Sequence, residues 1–255
     1  MQPDEHIRRY FETLYQCWGR QHWWPAQSPF EVIVGAYLTQ NTSWTNVERA
    51  LNSLRTAGIL SISGIRHTPL PKLERVIRSA GYFRQKARRL KKFVQFLDQR
   101  YSGSLARMFA QPTAKLREEL LDLEGIGPET ADSILLYAGN HPVFVVDAYT
   151  RRILERHQLV ESHASYEEIR ELSEHALTPL AGKSHEFASA SAHSIAQPAG
   201  SSHPPSPMST AKRTATVQVF NEMHGLIVGV GKNFCKKSQA ACEQCPLRRF
   251  LPGAK

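Results

Sequence analysis

The stretch Leu123-Glu124-Gly125-Ile126-Gly127-Pro128-Glu129-Thr130-Ala131, followed shortly by Val145-Val146-Asp147, decides the fold of this chain. Two glycines two positions apart let the backbone turn sharply between two helices. Such a turn can present backbone N–H groups and the positive end of a helix to a phosphate. A lone aspartate then follows a run of β-branched apolar residues. A phosphate-binding turn with one placed carboxylate suits chemistry on a nucleotide within a DNA duplex.

Size and charge narrow the class of protein. The chain has 255 residues, a length that allows a full hydrophobic core and one or two domains. Its formal net charge is +9. A basic surface attracts polyanions and favours salt-sensitive binding of nucleic acid. No apolar run approaches a membrane span, and the polar, acidic start Met1–Glu5 is not a secretory signal. The predicted location is the cytoplasm, in association with the nucleoid.

Apolar residues recur at helical spacing through most of the chain, and no alternating strand pattern is convincing. The pattern predicts helices over residues 4–18, 30–40, 44–56, 72–79, 84–100, 115–122, 148–157, 165–175 and 214–228. The run Pro142–Val146 is interpreted as an extended link into a helix that Asp147 caps. Residues 182–213 are rich in Ser, Ala, His and Pro, and we predict a disordered insertion there.

The hairpin, the aspartate and a C-terminal cysteine cluster together resemble the endonuclease III, or helix-hairpin-helix (HhH-GPD), superfamily of DNA glycosylases. Within it, Trp23-Trp24-Pro25 and Leu38–Thr42 resemble the 3-methyladenine (alkylpurine) glycosylase branch most closely. The resemblance implies an all-α fold of two helical lobes with the helix-hairpin-helix motif at a central cleft. One lobe would be a six-helix barrel, residues 28–141, and the other would combine residues 1–27 with 142–255.

Asp147 has two interpretations that are compatible. From the residues alone a helix N-cap is favoured, because Asp is a preferred cap and catalytic residues are rare. The resemblance implies that Asp147 is the catalytic carboxylate. A carboxylate near a helix N-terminus stays ionised, and it can stabilise an oxocarbenium-like sugar or orient the attacking water.

Glu129 occupies the place where, by the resemblance, bifunctional members of the superfamily carry a lysine. That lysine attacks the sugar, forms a Schiff base and then cuts the strand, and a glutamate cannot form the imine. We therefore expect a monofunctional enzyme of base-excision repair that hydrolyses the N-glycosidic bond and leaves an abasic site. Nothing in the sequence places Lys86, Lys91 or Lys92 in the cleft.

Four residues would line the pocket for the flipped base by resemblance: Trp23, Trp24, Pro25 and Trp44. Tryptophan more often fills a core, but two adjacent tryptophans cannot both point into one core from a regular helix. A flipped base needs flat walls on which to stack. An alkylated purine is cationic, so an indole face would add a cation–π attraction of roughly 0.5–2 kcal/mol.

Five further residues are predicted to contact DNA: Gln40, Gly125, Gly127, Thr130 and Lys232. The two glycines would offer backbone N–H groups to a phosphate, with a hydroxyl from Thr130 and a bound monovalent cation at the hairpin. Gln40 would enter the duplex and fill the gap left by the flipped base. Lys232 would belong to a loop that the cysteine cluster folds, and its side chain would face DNA. The predicted partner is double-stranded DNA with a damaged base, bound by a monomer.

Three clustered cysteines match three of the four ligand positions of the [4Fe–4S] cluster in this superfamily: Cys235, Cys242 and Cys245. The fourth position is Leu251, which cannot bind iron. A cluster with a non-cysteine ligand, a solvent ligand or Cys17 is favoured. A remnant without metal and a zinc site with a histidine such as His224 stay open as alternatives.

Other functions also stay open. An endonuclease III-like glycosylase and AP lyase would act on oxidised pyrimidines, but the hairpin lysine is missing. An adenine glycosylase would act opposite an oxidised guanine. A catalytically silent protein would only bind damaged DNA, and Asp147 with the aromatic residues argues against it.

Overall fold

The computed structural model describes residues 2–183 and 204–253, and in these ranges it contains helices and loops without strands. A single isolated pairing joins Cys235 and Ala240. The predicted all-α fold class is therefore confirmed. Within the described residues, no helix has both the length and the apolar character that crossing a membrane requires.

The described residues contain thirteen α-helices, which are named here in chain order. They are α1 Pro3–Trp18, α2 Pro29–Thr39, α3 Trp44–Thr56, α4 Ile62–His67, α5 Leu70–Val76, α6 Phe83–Tyr101, α7 Leu105–Phe109, α8 Thr113–Leu121, α9 Pro128–Ser133, α10 Ala148–Arg156, α11 Tyr166–Leu177, α12 Pro207–Thr210 and α13 Ala215–Asn233. A π-helical turn, Ile134–Ala138, extends α9, and 3₁₀ turns cover Arg78–Ala80, Thr178–Lys183, Cys242–Gln244 and Arg248–Phe250.

Each predicted helix is present, and outside the predicted insertion the sequence pattern missed two short ones, α4 and α7. Both begin at a serine cap: Ser61 accepts a hydrogen bond from the Gly64 amide, and Ser104 caps α7. Each buries a single apolar side chain, Ile65 or Met108. One buried residue gives no periodicity, so these helices carry no detectable pattern.

The predicted disordered insertion, residues 182–213, is wrong at both of its ends, because residues 182–183 lie in the turn Thr178–Lys183 and Pro207–Thr210 forms α12. Ser206 and Ser209 cap α12 reciprocally, and the Met208 side chain in that helix is buried. Burial of this side chain and the capping bonds offset the ordering cost that the Ser- and Pro-rich composition suggested. The part of the prediction on residues 184–203 lies outside the described residues.

The chain divides into two compact units, Met1–Pro25 with Pro142–Lys255, and Ala26–His141. They are called here the Asp147 unit and the hairpin unit. That these units form the two lobes of a cleft, with boundaries at residues 28 and 141, stays a prediction.

Helix α2 forms the centre of the hairpin unit. Every residue from Phe30 to Leu38 is buried, and the helix packs on α3, α6 and the turn Ile134–Ala138. The buried ammonium of Lys86 donates to the carbonyls of Leu38 and Ala80, at 2.9 and 2.7 Å. It thereby satisfies a carbonyl at the C-terminal end of α2, which has no partner within the helix.

The two helices beside the hairpin turn are joined by an ion pair. Arg117 of α8 donates from Nε and Nη2 to the two carboxylate oxygens of Asp132 in α9, at 2.7 and 3.1 Å. Asp132 is completely buried. A bidentate pair of this kind fixes both distance and orientation between two elements.

Helix α13 forms the centre of the Asp147 unit. Every residue from Val219 to Gly231 is buried, and the helix packs on α1, α10, α11 and Thr178–Lys183. A Cβ at Gly225 would lie 3.0 and 3.1 Å from the Cβ atoms of Gln21 and Trp23. A Cβ at Gly231 would overlap the ring of Tyr149. These glycines let a loop and helix α10 approach the backbone of α13 closely.

We predict that Arg117→Met destabilises the protein by about 3–5 kcal/mol, because it leaves the Asp132 charge buried without its bidentate partner. Urea unfolding followed by circular dichroism measures the change. The control is Arg107→Met, at an exposed position of the same unit, with an expected change within about 0.5 kcal/mol. Equal stabilities of the two variants would show that the pair does not hold the hairpin helices.

Candidate active site

Asp147 caps helix α10 and is held through both carboxylate oxygens. Its Oδ1 accepts hydrogen bonds from the amide and the hydroxyl of Thr150, at 2.7 and 2.9 Å. Its Oδ2 lies 3.6 Å from Nε2 of His224. Burial alone would raise the pKa of Asp147, but the contacts with His224 and Thr150 outweigh it and hold the pKa below its usual value. The carboxylate is therefore ionised at neutral pH.

His224 is the site neighbour that the sequence analysis missed. The sequence offers it only as a candidate zinc ligand. The structure places it beside Asp147, and it is not among the residues that line the cysteine cavity. A histidine in the long apolar run of α13 was the only signal in the sequence. The two residues are 77 positions apart in sequence (224 − 147), so no local pattern indicates their contact.

Both tryptophans of the aromatic segment are buried, with 6 and 5% of Trp23 and Trp24 exposed. Both side chains can be buried because this segment lies between α1 and α2 and is not a regular helix, so the restriction that a regular helix would impose does not apply. The two rings lie 5.5 Å apart, and the Trp23 ring lies 6.1 Å from that of His224. One imidazole therefore contacts both the carboxylate and the aromatic segment.

The remaining predicted pocket residues lie at different places. Pro25 is half-buried at the end of the first segment of the Asp147 unit. Trp44 begins α3 in the hairpin unit, is half-buried, and donates from Nε1 to Glu48 at 2.8 Å. Lys232, predicted near a DNA-facing loop, lies in the last turn of α13 with Nζ 5.9 Å from the Trp23 ring centroid.

The two hairpin glycines have different reasons to be glycine. Gly125 has φ +80°, and a Cβ there would overlap the guanidinium of Arg89, so the fold itself requires it. Gly127 is the exposed N-cap of α9, has φ −100°, and a Cβ there would meet no atom within 4 Å. Glu129 is exposed in the first turn of α9. The structure leaves the space outside Gly127 open.

Gln40 and Thr130 support the hairpin from inside. The Gln40 amide donates to the Gly125 carbonyl at 2.8 Å and to the Thr130 hydroxyl at 3.0 Å. Its Oε1 accepts from Arg89 at 3.0 Å. The predicted entry of Gln40 into the duplex is not supported, because all of these bonds would break. The Thr130 side chain is buried, so the structure also argues against its predicted contact with a phosphate.

Three cysteines and Leu251 line one small cavity in the C-terminal loop: Cys235, Cys242 and Cys245. Burial raises the pKa of the Cys245 thiol to about 11. Neither Cys17 nor His224 lines this cavity. In the described ranges, no three His, Cys, Asp or Glu side chains lie close enough together to hold a metal ion. These residues do not match the four-cysteine donor set of a [4Fe–4S] cluster, since Leu251 at the fourth position of the sequence motif offers only an alkyl group.

Two arginines of α10 donate hydrogen bonds to this loop. Arg156 donates to Sγ of Cys235 at 3.3 Å and to the Lys236 carbonyl at 2.8 Å. Arg152 of the same helix donates to the Cys235 carbonyl at 2.7 Å. The loop therefore has protein contacts that fix its backbone on α10.

Sequence comparison finds relatives along nearly the whole chain. Residues 34–179 match the family model described as “HhH-GPD superfamily base excision DNA repair protein”. A protein of Methanocaldococcus jannaschii with the name “Putative DNA repair glycosylase” is 38% identical over 248 residues, which cover 96% of each chain. Endonuclease III of Thermotoga maritima is 24% identical over 220 residues, which cover 86% of this chain and 81% of that one.

Solved structures share the fold. The H. pylori 3-methyladenine DNA glycosylase (MagIII) bound to 1,N6-ethenoadenine superposes with a TM-score of 0.70 and 26% identity, covering 91% of this chain and 98% of that one. A non-covalent endonuclease III–DNA complex gives 0.69 at 20% identity, with 98 and 96% covered, which is a likeness of fold. The chain belongs to the HhH-GPD superfamily of base excision DNA repair proteins and is a DNA glycosylase of that family.

Proposed function

We propose that this protein is a monofunctional DNA glycosylase that hydrolyses the N-glycosidic bond of alkylated purines flipped out of duplex DNA. The observation that carries the proposal is the contact of one histidine with both Asp147 and Trp23. It joins an ionised carboxylate to an aromatic segment within one compact unit. The carboxylate would stabilise the oxocarbenium-like sugar or orient the attacking water.

The protonation state of Asp147 supports the choice of substrate. A carboxylate that stays ionised cannot protonate the departing base. An N-alkylated purine carries a positive charge that already weakens its glycosidic bond, so its departure needs little acid catalysis. The similarity to the H. pylori 3-methyladenine glycosylase agrees with this substrate class. Because Lys232 already places a positive charge at Trp23, we assign a stacking wall to Trp24, with Pro25 beside it in the same unit. The predicted role of Trp44, which lies in the hairpin unit, stays a prediction.

The lysines considered as nucleophiles support hydrolysis without strand cleavage. Glu129 takes the hairpin position that a Schiff-base lysine would need. Lys86 is buried and donates to two carbonyls, which prevents access to a sugar. Lys91 donates to the Arg66 carbonyl, and Lys92 pairs with Glu124. Lys232, beside Trp23, is the lysine that the borohydride experiment below has to test.

The hairpin is the proposed contact with the backbone of double-stranded DNA. Gly127 has open space outside it, and the net charge of +9 favours a polyanion. A monovalent cation at the hairpin, a monomeric state and association with the nucleoid stay predictions. The [4Fe–4S] cluster also stays a prediction, which the three-thiol donor set does not support, and the proposed reaction does not use it.

We predict that the wild-type protein releases 3-methyladenine from randomly methylated duplex DNA and leaves the strands intact. Asp147→Asn should bind the DNA but lose release by about 10²-fold or more, because the charge that stabilises the transition state is removed. Chromatography of released bases and a gel without alkali measure both effects. Asp122→Asn, at the exposed C-cap of α8, is the control.

Two outcomes would contradict this proposal. Full base release by a folded Asp147→Asn would remove its catalytic role. Release from oxidised or mismatched duplexes, with none from methylated DNA, would favour an endonuclease III-like or adenine glycosylase.

We expect borohydride to trap no covalent protein–DNA adduct, because Glu129 cannot form an imine. Denaturing electrophoresis with radiolabelled DNA is the measurement, and a bifunctional glycosylase is the positive control. An adduct that persists in Lys232→Met would point to another lysine. An adduct lost in that variant would make Lys232 the nucleophile and the enzyme a lyase.

The hairpin glycines provide a matched pair of variants. Gly127→Ala should keep its stability within about 0.5 kcal/mol, since the methyl group enters open space, while DNA affinity falls by about tenfold. Gly125→Ala should lose about 1–3 kcal/mol of stability because its φ is +80°. Thermal unfolding and fluorescence anisotropy measure the two quantities. Unchanged affinity in Gly127→Ala would show that the backbone of DNA does not approach this residue.

A further inference from the structure

The imidazole of His224 holds the side of Asp147 that Thr150 leaves open. Its Nε2 lies 3.6 Å from Oδ2, and 5% of the His224 side chain is exposed. An ionised carboxylate oxygen only accepts hydrogen bonds, so a favourable contact requires a hydrogen on Nε2. Thr150 fixes Oδ1 from within α10, and His224 reaches Oδ2 from α13.

We propose that His224 is a positioning residue for Asp147, which orients the carboxylate and keeps it ionised for the reaction. This inference rests on the proposed function, in which Asp147 is the catalytic carboxylate. His224 itself would act through Asp147 and would not need to touch the DNA.

The orientation of the imidazole is fixed by two aromatic rings. The Trp23 ring packs edge-on at 6.1 Å, and the Phe144 ring does so at 6.4 Å. Phe144 precedes Asp147 by three residues in the link that leads into α10. A side chain retained only to fill this space could be apolar. The position of Nε2 toward Oδ2 is the feature that an apolar residue could not reproduce.

The burial of Asp147 makes a favourable contact such as that with His224 necessary for its charged form. A buried carboxylate without a favourable contact tends to take up a proton, because burial disfavours its charged form. Other charged groups of the packed elements have partners elsewhere. On α11, Glu174 accepts from the Phe144 amide and from Arg170. On α10, Arg151 donates to Glu155 and to the Ala164 carbonyl, and Arg152 and Arg156 donate to carbonyls of the cysteine loop. On α13, Glu222 accepts from the Gln21 amide, and Lys232 lies over the Trp23 ring.

The role proposed for His224 predicts how the pH dependence of activity changes when His224 is replaced. With His224 present, the pKa of Asp147 lies below its usual value, so the carboxylate keeps its charge to a lower pH than an ordinary aspartate does. Without His224 the burial remains, and the pKa of Asp147 should rise. Activity that needs the ionised form would then be lost at a higher pH as the solution is acidified.

The experiment measures single-turnover base release between about pH 4 and pH 8. The variants are His224→Leu, which fills the space without a donor, and His224→Gln, whose amide can still donate. The control is His157→Leu, at a buried histidine of the same unit whose Nδ1 instead faces the Tyr10 hydroxyl at 2.7 Å. DNA binding and thermal unfolding are measured for each variant.

We expect the wild-type rate to be level down to about pH 4, because the pKa of Asp147 lies below its usual value. The acid limb of His224→Leu should rise into the measured range, where the rate falls about tenfold per pH unit. His224→Gln should restore the limb toward the wild-type position, and His157→Leu should leave it in place. An equal loss at every pH, with no rescue by glutamine, would mean that His224 only fills space and would overturn the inference.

A titration of the Asp147 carboxyl carbon by NMR, assigned with Asp147→Asn, separates this inference from the proposed function. If His224→Leu raises this pKa while the wild-type protein releases no alkylated purine, the positioning role stands and the substrate proposal fails. If the pKa does not move, His224 does not maintain the charge, whatever the activity of the enzyme.

Discussion

The close approach of two segments to helix α13 is the constraint on which the Asp147 unit depends. Gly225 gives room to Gln21 and Trp23, and Gly231 gives room to Tyr149, two residues after Asp147. A side chain at either glycine would displace the aromatic segment or the start of α10. One buried helix therefore sets the spacing between the tryptophans and the carboxylate. His224 on the same helix contacts both.

The hairpin unit meets a different requirement, because a turn that contacts a ligand through its backbone must be rigid and yet uncovered. Side chains of the same unit support the turn through hydrogen bonds. Gln40 donates to the Gly125 carbonyl in the turn, and Arg89 in turn donates to Gln40. The ion pair of Arg117 with Asp132 joins the flanking helices. Polar side chains that a linear reading assigns to DNA are thus used to fix the backbone. The open face is left to Gly127.

The C-terminal loop shows how a family pattern can survive in part. Three cysteines keep the spacing of the family and line one cavity. Leu251, at the sequence position of the fourth ligand, lines the same cavity. Arg152 and Arg156 bind backbone carbonyls at the start of the loop. These bonds connect the loop to α10, the helix that Asp147 caps. The same helix therefore carries both the contacts with this loop and the carboxylate at its N-cap.

The sequence by itself determined the helices with a repeated apolar pattern, the hairpin turn, the cap at Asp147 and the glutamate at position 129. Each of these depends on neighbours within a few residues, so a local pattern suffices. The tertiary structure alone decided the partners of the side chains: His224 for Asp147, the hairpin for Gln40, and burial for both Trp23 and Trp24. The Gln40 bond to Gly125 spans 85 positions in sequence. No local pattern specifies such a contact, because it exists only when distant helices pack and exclude water from the polar groups between them.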